Sequence, residues 1–278
     1  MKKINLYIQL TSIIAFLGLL LFLFFFYNVG ESLERHFYGV KPGVTLEGKD
    51  LSGFLRREVE ELVKKRAEEE RVIPQNAYIN RENGEVVPEV IGREVEILHT
   101  VNQVMEAEEN TSVPIITVEL YPEITAELLH SIDTLKGSYF TWMGSGHSRV
   151  TNIMVAGEAI NNTLMHPGQV FSFNKTVGPR TAERGYHYAP IIVRGSMVLG
   201  LGGGICQTSS TLYNAVLESG LEVVERYPHS KPVGYVPRGR DATVADHLDF
   251  KFRNNTDQFL LIKVSSYGGK IEAQIWTN

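Results

Sequence analysis

The feature that most constrains this chain is an uncharged, strongly apolar run close to the N-terminus. The run reads INLYIQLTSIIAFLGLLLFLFFFY from Ile4 to Tyr27 and follows a basic Met1-Lys2-Lys3. As an α-helix it spans about 36 Å at ~1.5 Å per residue, which is enough to cross the ~30 Å hydrocarbon layer of a membrane. A cleaved signal peptide is the alternative, but it usually has a shorter apolar core and a small-residue cleavage site, which NVGESLERH does not offer. We therefore predict that residues 1–29 form a membrane anchor.

The charges on either side of this run predict its orientation. Lysines precede it, and Glu31 and Glu34 follow it. Because positive charge near a membrane helix favours the cytoplasmic side, the N-terminus is expected in the cytoplasm and the rest of the chain outside it. We predict a single-pass protein of the cell membrane whose C-terminal part is extracytoplasmic. The net charge of −5 indicates no basic surface for nucleic acid.

The next segment, residues 30–130, is rich in Glu and Lys and poor in aromatic residues. Apolar residues at helical spacing predict one helix over Phe54–Arg71 and a second around Val101–Met105. The β-branched run Val113–Val118 predicts a strand. We expect a small α+β spacer domain without catalytic residues.

The composition changes at about Leu135, and residues 135–278 are predicted to form a second domain. Glycines, aromatic residues and turn pairs become frequent there. A buried stripe predicts a helix over Cys206–Ser219 that ends before Gly220, and two alternating runs around Gly268-Gly269 predict a hairpin. The fold class expected for this part is α+β with mostly antiparallel strands around few helices.

The stretch LGLGGGICQTSSTLYNAVLESG contains the only cysteine of the chain, Cys206. The glycines before it are not a nucleotide loop, because the stretch lacks the Lys-Ser/Thr ending of a P-loop and does not fit GxGxxG. A helix N-terminus at Cys206 favours an anion, so we expect a lowered thiol pKa and a nucleophilic role. Backbone amides at Gly203 and Gly204 are then candidates to hold an oxyanion. The alternative is that the glycines pack a tight corner and the cysteine fills a hole.

A nucleophilic thiol needs a base, and His229 in RYPHSKPVGYVPRGRDATV is the candidate that the local sequence favours. Asp241 is predicted to orient its imidazole, with Asp246 as the alternative. Gln207, beside the thiol, is a candidate for a further oxyanion donor.

Several arginines lie in the loops of this domain, and Arg180 and Arg240 are candidates to hold a carboxylated substrate. Neither HExxH nor CxxC occurs, and the histidines are scattered. We therefore predict neither a metal site nor a cofactor.

At these residues the sequence resembles the VanW family. The similar pieces are PGQVFSFNKTVGPRTAERGYHYAPIIVRG, GGGICQTSSTLYNAVLESGLEVVERYPHSKPVGYVPRGRDATV and DFKFRNNTDQFLLI, which fall within residues 135–278. The part from Gly43 to about Val118 resembles more weakly the peptidoglycan-binding domain that often precedes VanW domains.

The resemblance implies a cell-wall function. The family is named for its association with vancomycin-type glycopeptide resistance, and some members are described as L,D-transpeptidases with a cysteine nucleophile. Carried over to this chain, that role falls on Cys206, with His229 as base and peptidoglycan stem peptides as substrate. The alternatives are a non-catalytic peptidoglycan-binding module and an accessory protein of glycopeptide resistance. The oligomeric state does not follow from the sequence.

Overall fold

A computed structural model of the chain describes the backbone of residues 2–193 and 196–278 and the side chains of residues 16–192 and 196–278. The helices are α1 (Lys2–Tyr38), α2 (Arg56–Glu70), α3 (Ile97–Glu106), α4 (Ala126–His130), α5 (His147–Ile160), α6 (Phe173–Val177) and α7 (Ile205–Glu218). The strands are β1 (Thr45–Leu46), β2 (Lys49–Asp50), β3 (Tyr78–Ile79), β4 (Val86–Val87), β5 (Gly92–Val95), β6 (Ser112–Val113), β7 (Thr117–Leu120), β8 (Thr134–Trp142), β9 (Thr163–Met165), β10 (Val170–Ser172), β11 (Tyr188–Val193), β12 (Ser196–Leu201), β13 (Glu222–Glu225), β14 (Lys251–Arg253), β15 (Leu260–Tyr267) and β16 (Lys270–Thr277).

Helix α1 contains the apolar run. Within its segment Phe16–Tyr38, a window of 18 residues has a mean hydropathy of 1.7, and the segment is long and apolar enough to cross a membrane. The predicted span also includes residues 4–15, whose side chains lie outside the described residues. A signal sequence near the N-terminus meets the same criteria of length and composition, so the membrane and the orientation stay predictions.

The chain forms two compact units, and the first comprises the residues up to Gln75 together with Val90–Pro122. Helices α2 and α3 fall where the apolar spacing predicts them. The predicted strand Val113–Val118 is wrong as one element, because Pro114 lacks an amide hydrogen and the run divides into β6 and β7. The core of this unit is aliphatic and consists of Val40, Val44, Leu46, Leu51, Val59, Val63, Val95, Val101, Val104 and Val113.

The second unit comprises Asn76–Glu89 and Glu123–Asn278. Its main sheet has the antiparallel order β8-β16-β15-β9, and a smaller sheet has the order β10-β14-β13. Helices α5 and α7 pack against the main sheet, and the structure is therefore of the predicted mixed α+β class with mostly antiparallel strands. The predicted hairpin is confirmed as β15 and β16, with positive φ at Gly268 and Gly269.

Helix α7 begins and ends within one residue of the prediction. Gly220 follows its last turn with φ of 68°, which is the left-handed conformation expected just beyond a helix C-terminus. Gly137 of β8 lets the helix approach the sheet closely, because a Cβ there would lie 2.8 Å from the amide nitrogen of Ser219. The fold thus holds α7, whose first turn contains Cys206, against the main sheet.

Candidate functional site

Helix α7 is buried along most of its length, although half of its residues are polar. Its side chains are held by the backbone of the chain segment 240–244. Ser209 donates to the carbonyl oxygen of Ala242 at 2.6 Å, and Asn214 donates to that of Arg240 at 2.7 Å. The hydroxyl of Ser210 accepts from the amide of Ala242 at 2.9 Å. Buried polar groups need such partners, so the 240–244 segment is fixed in register along the helix.

This register brings the segment to the cysteine. The Cys206 thiol is partly exposed and donates to the carbonyl oxygen of Val244 at 3.5 Å. Burial raises the pKa of the Cys206 thiol, and contacts with the Val244 backbone and the positive charge of Arg180 offset that effect only in part. The lowered pKa predicted from the helix N-terminus is therefore wrong, because desolvation of the thiolate outweighs the dipole.

The glycines before the cysteine are required by close packing. Gly204 caps the helix with φ of 111°, and a Cβ there would lie 2.9 Å from Cγ of Arg149. A Cβ on Gly203 would lie 2.6 Å from the carbonyl oxygen of Ala189. Asn152 of α5 donates to the carbonyl oxygen of Gly203 at 2.8 Å, which ties the turn to that helix. The tight corner considered from the sequence is therefore present.

The amides of this turn are largely used within the turn itself. The amide of Ile205 donates to Gly202, and that of Gln207 donates to Gly204, at 3.2 and 2.8 Å. The amide of Cys206 faces its own sulfur, where it lowers the pKa of the thiol slightly. These bonds engage neither the amide of Gly203 nor that of Gly204, and the oxyanion role of those two amides stays a prediction.

His229 and Asp241 lie in direct contact. The ring Nδ1 of His229 is 2.7 Å from a carboxylate oxygen of Asp241, and the backbone amide of His229 donates to the same oxygen at 2.6 Å. Arg226 donates to the other carboxylate oxygen at 3.1 Å. Burial would raise the pKa of Asp241, but the hydrogen bonds from His229 outweigh it and lower the pKa, so the carboxylate is ionised at neutral pH.

Tyr235, which was not among the candidates from the sequence, lies near His229 and is close enough to Cys206 and Asp241 for their charges to act on it. Its ring centroid is 6.4 Å from that of His229. Burial raises the pKa of Tyr235, and the negative charge of a Cys206 thiolate would raise it further. The tyrosine is therefore a neutral hydroxyl close to the sulfur.

Gln207 does not have the role predicted from the sequence. Its side chain is 1% exposed, and both amide hydrogens are donated, to Oγ1 of Thr141 and to the carbonyl oxygen of Trp142, each at 2.8 Å. Its Oε1 accepts from Arg149 at 2.6 Å. The side chain has no hydrogen left for an oxyanion, so it fixes α7 to β8 and to α5.

The two candidate arginines lie at different places. Arg180 is 15% exposed at its side chain, contacts Asn174, and lies 3.8 Å from the exposed carboxylate of Asp246. Its charge acts on Cys206, so it belongs to the surroundings of the thiol. Asp246 thus faces Arg180, whereas the partner of His229 is Asp241.

Arg240 contacts Asn214 and Glu218 in the last two turns of α7. At ~1.5 Å per residue these turns lie roughly 12 Å or more along the helix from Cys206. The structure therefore does not bring Arg240 together with the groups beside the thiol.

An open pocket of about 360 Å³ lies next to the start of α7. It is lined by Trp142, Met143, Gly144, Ser145, Arg149, Gln207, Gly234 and Tyr235. Arg149 comes from α5, a helix that was not predicted although Ile153, Ala156 and Ile160 give its buried face helical spacing. The spacing of Arg149 and Asn152 on one face of a helix is the signal that points to it.

The chain is similar in sequence to one protein family and to two known proteins. The family model described as "VanW like protein" matches residues 148–276. Uncharacterized protein YoaR of Bacillus subtilis (strain 168) is 39% identical over 211 residues, which are 74% of this chain and 69% of that protein. Vancomycin B-type resistance protein VanW of Enterococcus faecalis (strain ATCC 700802 / V583) is 29% identical over 137 residues, 47% of this chain and 50% of that protein. No solved structure matches significantly.

Proposed function

The chain belongs to the VanW family, and from this premise we propose that it is a membrane-anchored, extracytoplasmic cysteine acyltransferase that acts on peptidoglycan stem peptides. The reaction would be that of an L,D-transpeptidase. The observation that carries the proposal is the contact chain from Cys206 through Val244 and the 240–244 segment to Asp241 and His229. This chain of contacts links the lone thiol to an imidazole oriented by a carboxylate. Acyl transfer also needs the imidazole to reach the sulfur, and in this structure the thiol donates to the carbonyl oxygen of Val244 instead.

In the first step His229 takes the proton of the Cys206 thiol as the sulfur attacks the carbonyl carbon of the third stem residue. A thioester forms, the bond to the terminal D-alanine breaks, and the imidazolium returns the proton to the leaving amine. In the second step an amine of another stem peptide attacks the thioester and gives its proton to His229. A 3–3 cross-link forms and the thiol is regenerated, whereas water as acceptor would give a carboxypeptidase.

The raised thiol pKa determines when the proton moves. Because the thiolate is disfavoured in the free protein, the thiol is protonated at neutral pH and must be deprotonated during attack. A resting thiolate–imidazolium pair is therefore not part of the proposal. Asp241, ionised and bound to Nδ1, stabilises the imidazolium that forms.

Purified full-length protein, incubated with stem tetrapeptides and an amine acceptor, tests the chemistry. We expect release of D-alanine and a cross-linked product by mass spectrometry, and loss of both in Cys206→Ser, which changes one atom of the side chain. His229→Ala should lower turnover by about 100-fold or more. A Cys206→Ser protein that still forms the product would contradict the proposal.

The membrane topology has a separate test. Protease added to wall-stripped cells should degrade the chain beyond about Asn28 if it lies outside. Protection of the second unit would refute the proposed orientation, and a mature protein that begins after the apolar run would show a cleaved signal sequence.

We also propose that residues 30–130 bind peptidoglycan or hold the second unit at a distance from the membrane. A pull-down of the full chain with isolated peptidoglycan tests this role. The comparison is a variant in which residues 30–75 and 90–122 are each replaced by a flexible linker, because Asn76–Glu89 belongs to the second unit. Equal retention of the two proteins would show that the segment acts only as a spacer.

A second candidate function is a non-catalytic cell-wall protein that modulates glycopeptide sensitivity. The observation that favours it is the high pKa of a thiol that already donates to Val244. One relative carries the name of a vancomycin resistance protein. A Cys206→Ser strain with unchanged muropeptides and unchanged glycopeptide sensitivity, beside a deletion strain with altered sensitivity, would support this candidate.

A further inference from the structure

Arg149 is a partly buried cation whose contacts are with neutral groups. Its Nη1 donates to the carbonyl oxygen of Met143 at 2.5 Å, and its Nη2 donates to Oε1 of Gln207 at 2.6 Å. Among the residues that the structure describes, no carboxylate lies within ion-pair distance of its guanidinium. Burial lowers the pKa of Arg149, which reflects a desolvated charge without a counter-ion.

The guanidinium lines the pocket beside the start of α7. The other lining residues are uncharged and include two aromatic side chains, those of Trp142 and Tyr235. A guanidinium has five N–H donors in a planar fork that fits a carboxylate, and two of these donors are engaged with the neutral acceptors. A single positive charge in an otherwise neutral pocket matches one negative charge better than a phosphate group of higher charge.

We propose that Arg149 is the specificity-determining residue of this pocket and binds the free C-terminal carboxylate of the donor peptide. The identification of the ligand as a stem peptide rests on the proposed function. Gln207, which directly follows Cys206, holds the guanidinium in place. One residue separates the attacked carbonyl from the terminal carboxylate in a tetrapeptide, a distance of about 3.5 Å of extended chain.

This assignment states how the donor peptide would lie. The carboxylate would contact Arg149, the side chain of the leaving D-alanine would lie against Tyr235 or Trp142, and the scissile carbonyl would face the sulfur. It also predicts that the protein selects peptides with a free terminus over peptides whose terminus is blocked. Arg149 would act by binding the substrate, and the proton transfers would stay with His229.

Binding is measured on the full-length protein in detergent, in a Cys206→Ser background that removes turnover. The probes are an Nα-acetylated stem tetrapeptide that ends in D-alanine and the same peptide with a C-terminal carboxamide. We expect the carboxamide to bind about 10-fold more weakly or worse, because a charge-assisted contact is lost. Equal affinity of the two peptides, or no binding of the free acid, would overturn the proposal.

A matched pair of variants avoids the loss of the structural contacts of Arg149. Ser145 is exposed and lines the same pocket, so Ser145→Glu places a competing carboxylate there and Ser145→Gln adds the same bulk without charge. We expect Ser145→Glu to weaken binding of the free acid about 10-fold relative to Ser145→Gln. Arg240→Gln, at the far end of α7, should leave binding unchanged.

The two proposals fail in different ways. If wild-type protein binds the free acid selectively but never releases D-alanine, the acyl-transfer proposal falls and the carboxylate pocket stands. If wild-type protein releases alanine and alaninamide from the two peptides at equal rates and equal affinities, the pocket assignment is wrong and the chemistry stands.

Discussion

The Asp241 carboxylate receives two hydrogen bonds from a single residue, His229, one from its backbone amide at 2.6 Å and one at its ring Nδ1 at 2.7 Å. The pair is therefore fixed at both the backbone and the ring. The guanidinium of Arg226 donates to the backbone carbonyl oxygen of Asp241 at 2.6 Å and to the carboxylate of Asp241 at 3.1 Å. A base that is held this firmly presents one tautomer, with the proton on Nδ1 and Nε2 as acceptor.

Asp241→Asn should therefore lower turnover of the stem tetrapeptide by about 100-fold, because the amide does not stabilise the imidazolium and can select the wrong tautomer. The control is Asp246→Asn, which removes a fully exposed carboxylate that faces Arg180. We expect Asp246→Asn to keep turnover within a few fold of wild type. Similar losses in the two variants would show that Asp241 has no special role.

The reactivity of Cys206 should follow its raised pKa. Because burial holds the pKa of the thiol above its ordinary value of 9.0, alkylation by iodoacetamide should be slow at pH 7 and should rise with pH through the alkaline range. Arg180→Gln should shift this rise to still higher pH, since the positive charge that favours the thiolate is removed.

The measurement is the alkylation rate against pH, followed by mass spectrometry on folded protein. Lys175→Gln, a change of an exposed cation on α6, is the control and should not move the profile. Fast alkylation at pH 7 would instead indicate a resting thiolate, as the helix N-terminus alone predicts.

Gln207 should matter for stability. Gln207→Met removes the oxygen that accepts from Arg149 and the amide group that donates to the Trp142 carbonyl. The loss of these two hydrogen bonds should lower the free energy of unfolding by about 2–4 kcal/mol. Gln103→Met, at an exposed glutamine of α3, should cost about 0.5 kcal/mol or less. Urea denaturation compares them, and a Gln207→Met protein as stable as wild type would show that these contacts contribute nothing to stability.

The sequence predicts those parts of the fold that local patterns encode. Gly220 and the Gly268-Gly269 pair mark the end of α7 and the hairpin turn, because positive φ is a local requirement that glycine meets. Helix α5 also has an apolar face at helical spacing, formed by Ile153, Ala156 and Ile160, but the role of Asn152 on that face does not follow from the pattern. The amide of Asn152 is buried and donates to the carbonyl oxygen of Gly203. That partner lies 51 positions away, so the local sequence does not predict it.

One part of the candidate site can be predicted from the sequence, and the other part depends on long-range packing. His229 and Asp241 are only 12 positions apart, and their pairing was predicted from the sequence. The position of Arg149 beside Gln207 joins residues 58 positions apart and depends on how α5 packs against α7. The thiol pKa depends on burial by the 240–244 segment, and a helix N-terminus considered alone gives the wrong sign.

Gly204 gives the most direct test of the corner that holds the thiol. Gly204→Ala should destabilise the protein by about 1–3 kcal/mol, because φ of 111° is strained for any residue with a Cβ. The new Cβ would also lie 3.0 Å from the carbonyl oxygen of Arg149. Gly220→Ala is the matched control, since it has positive φ but no atom within 4 Å of its Cβ, and it should cost about 1 kcal/mol. Urea denaturation of both variants measures the difference, and equal costs would show that the close approach of α5 to the turn contributes nothing to stability.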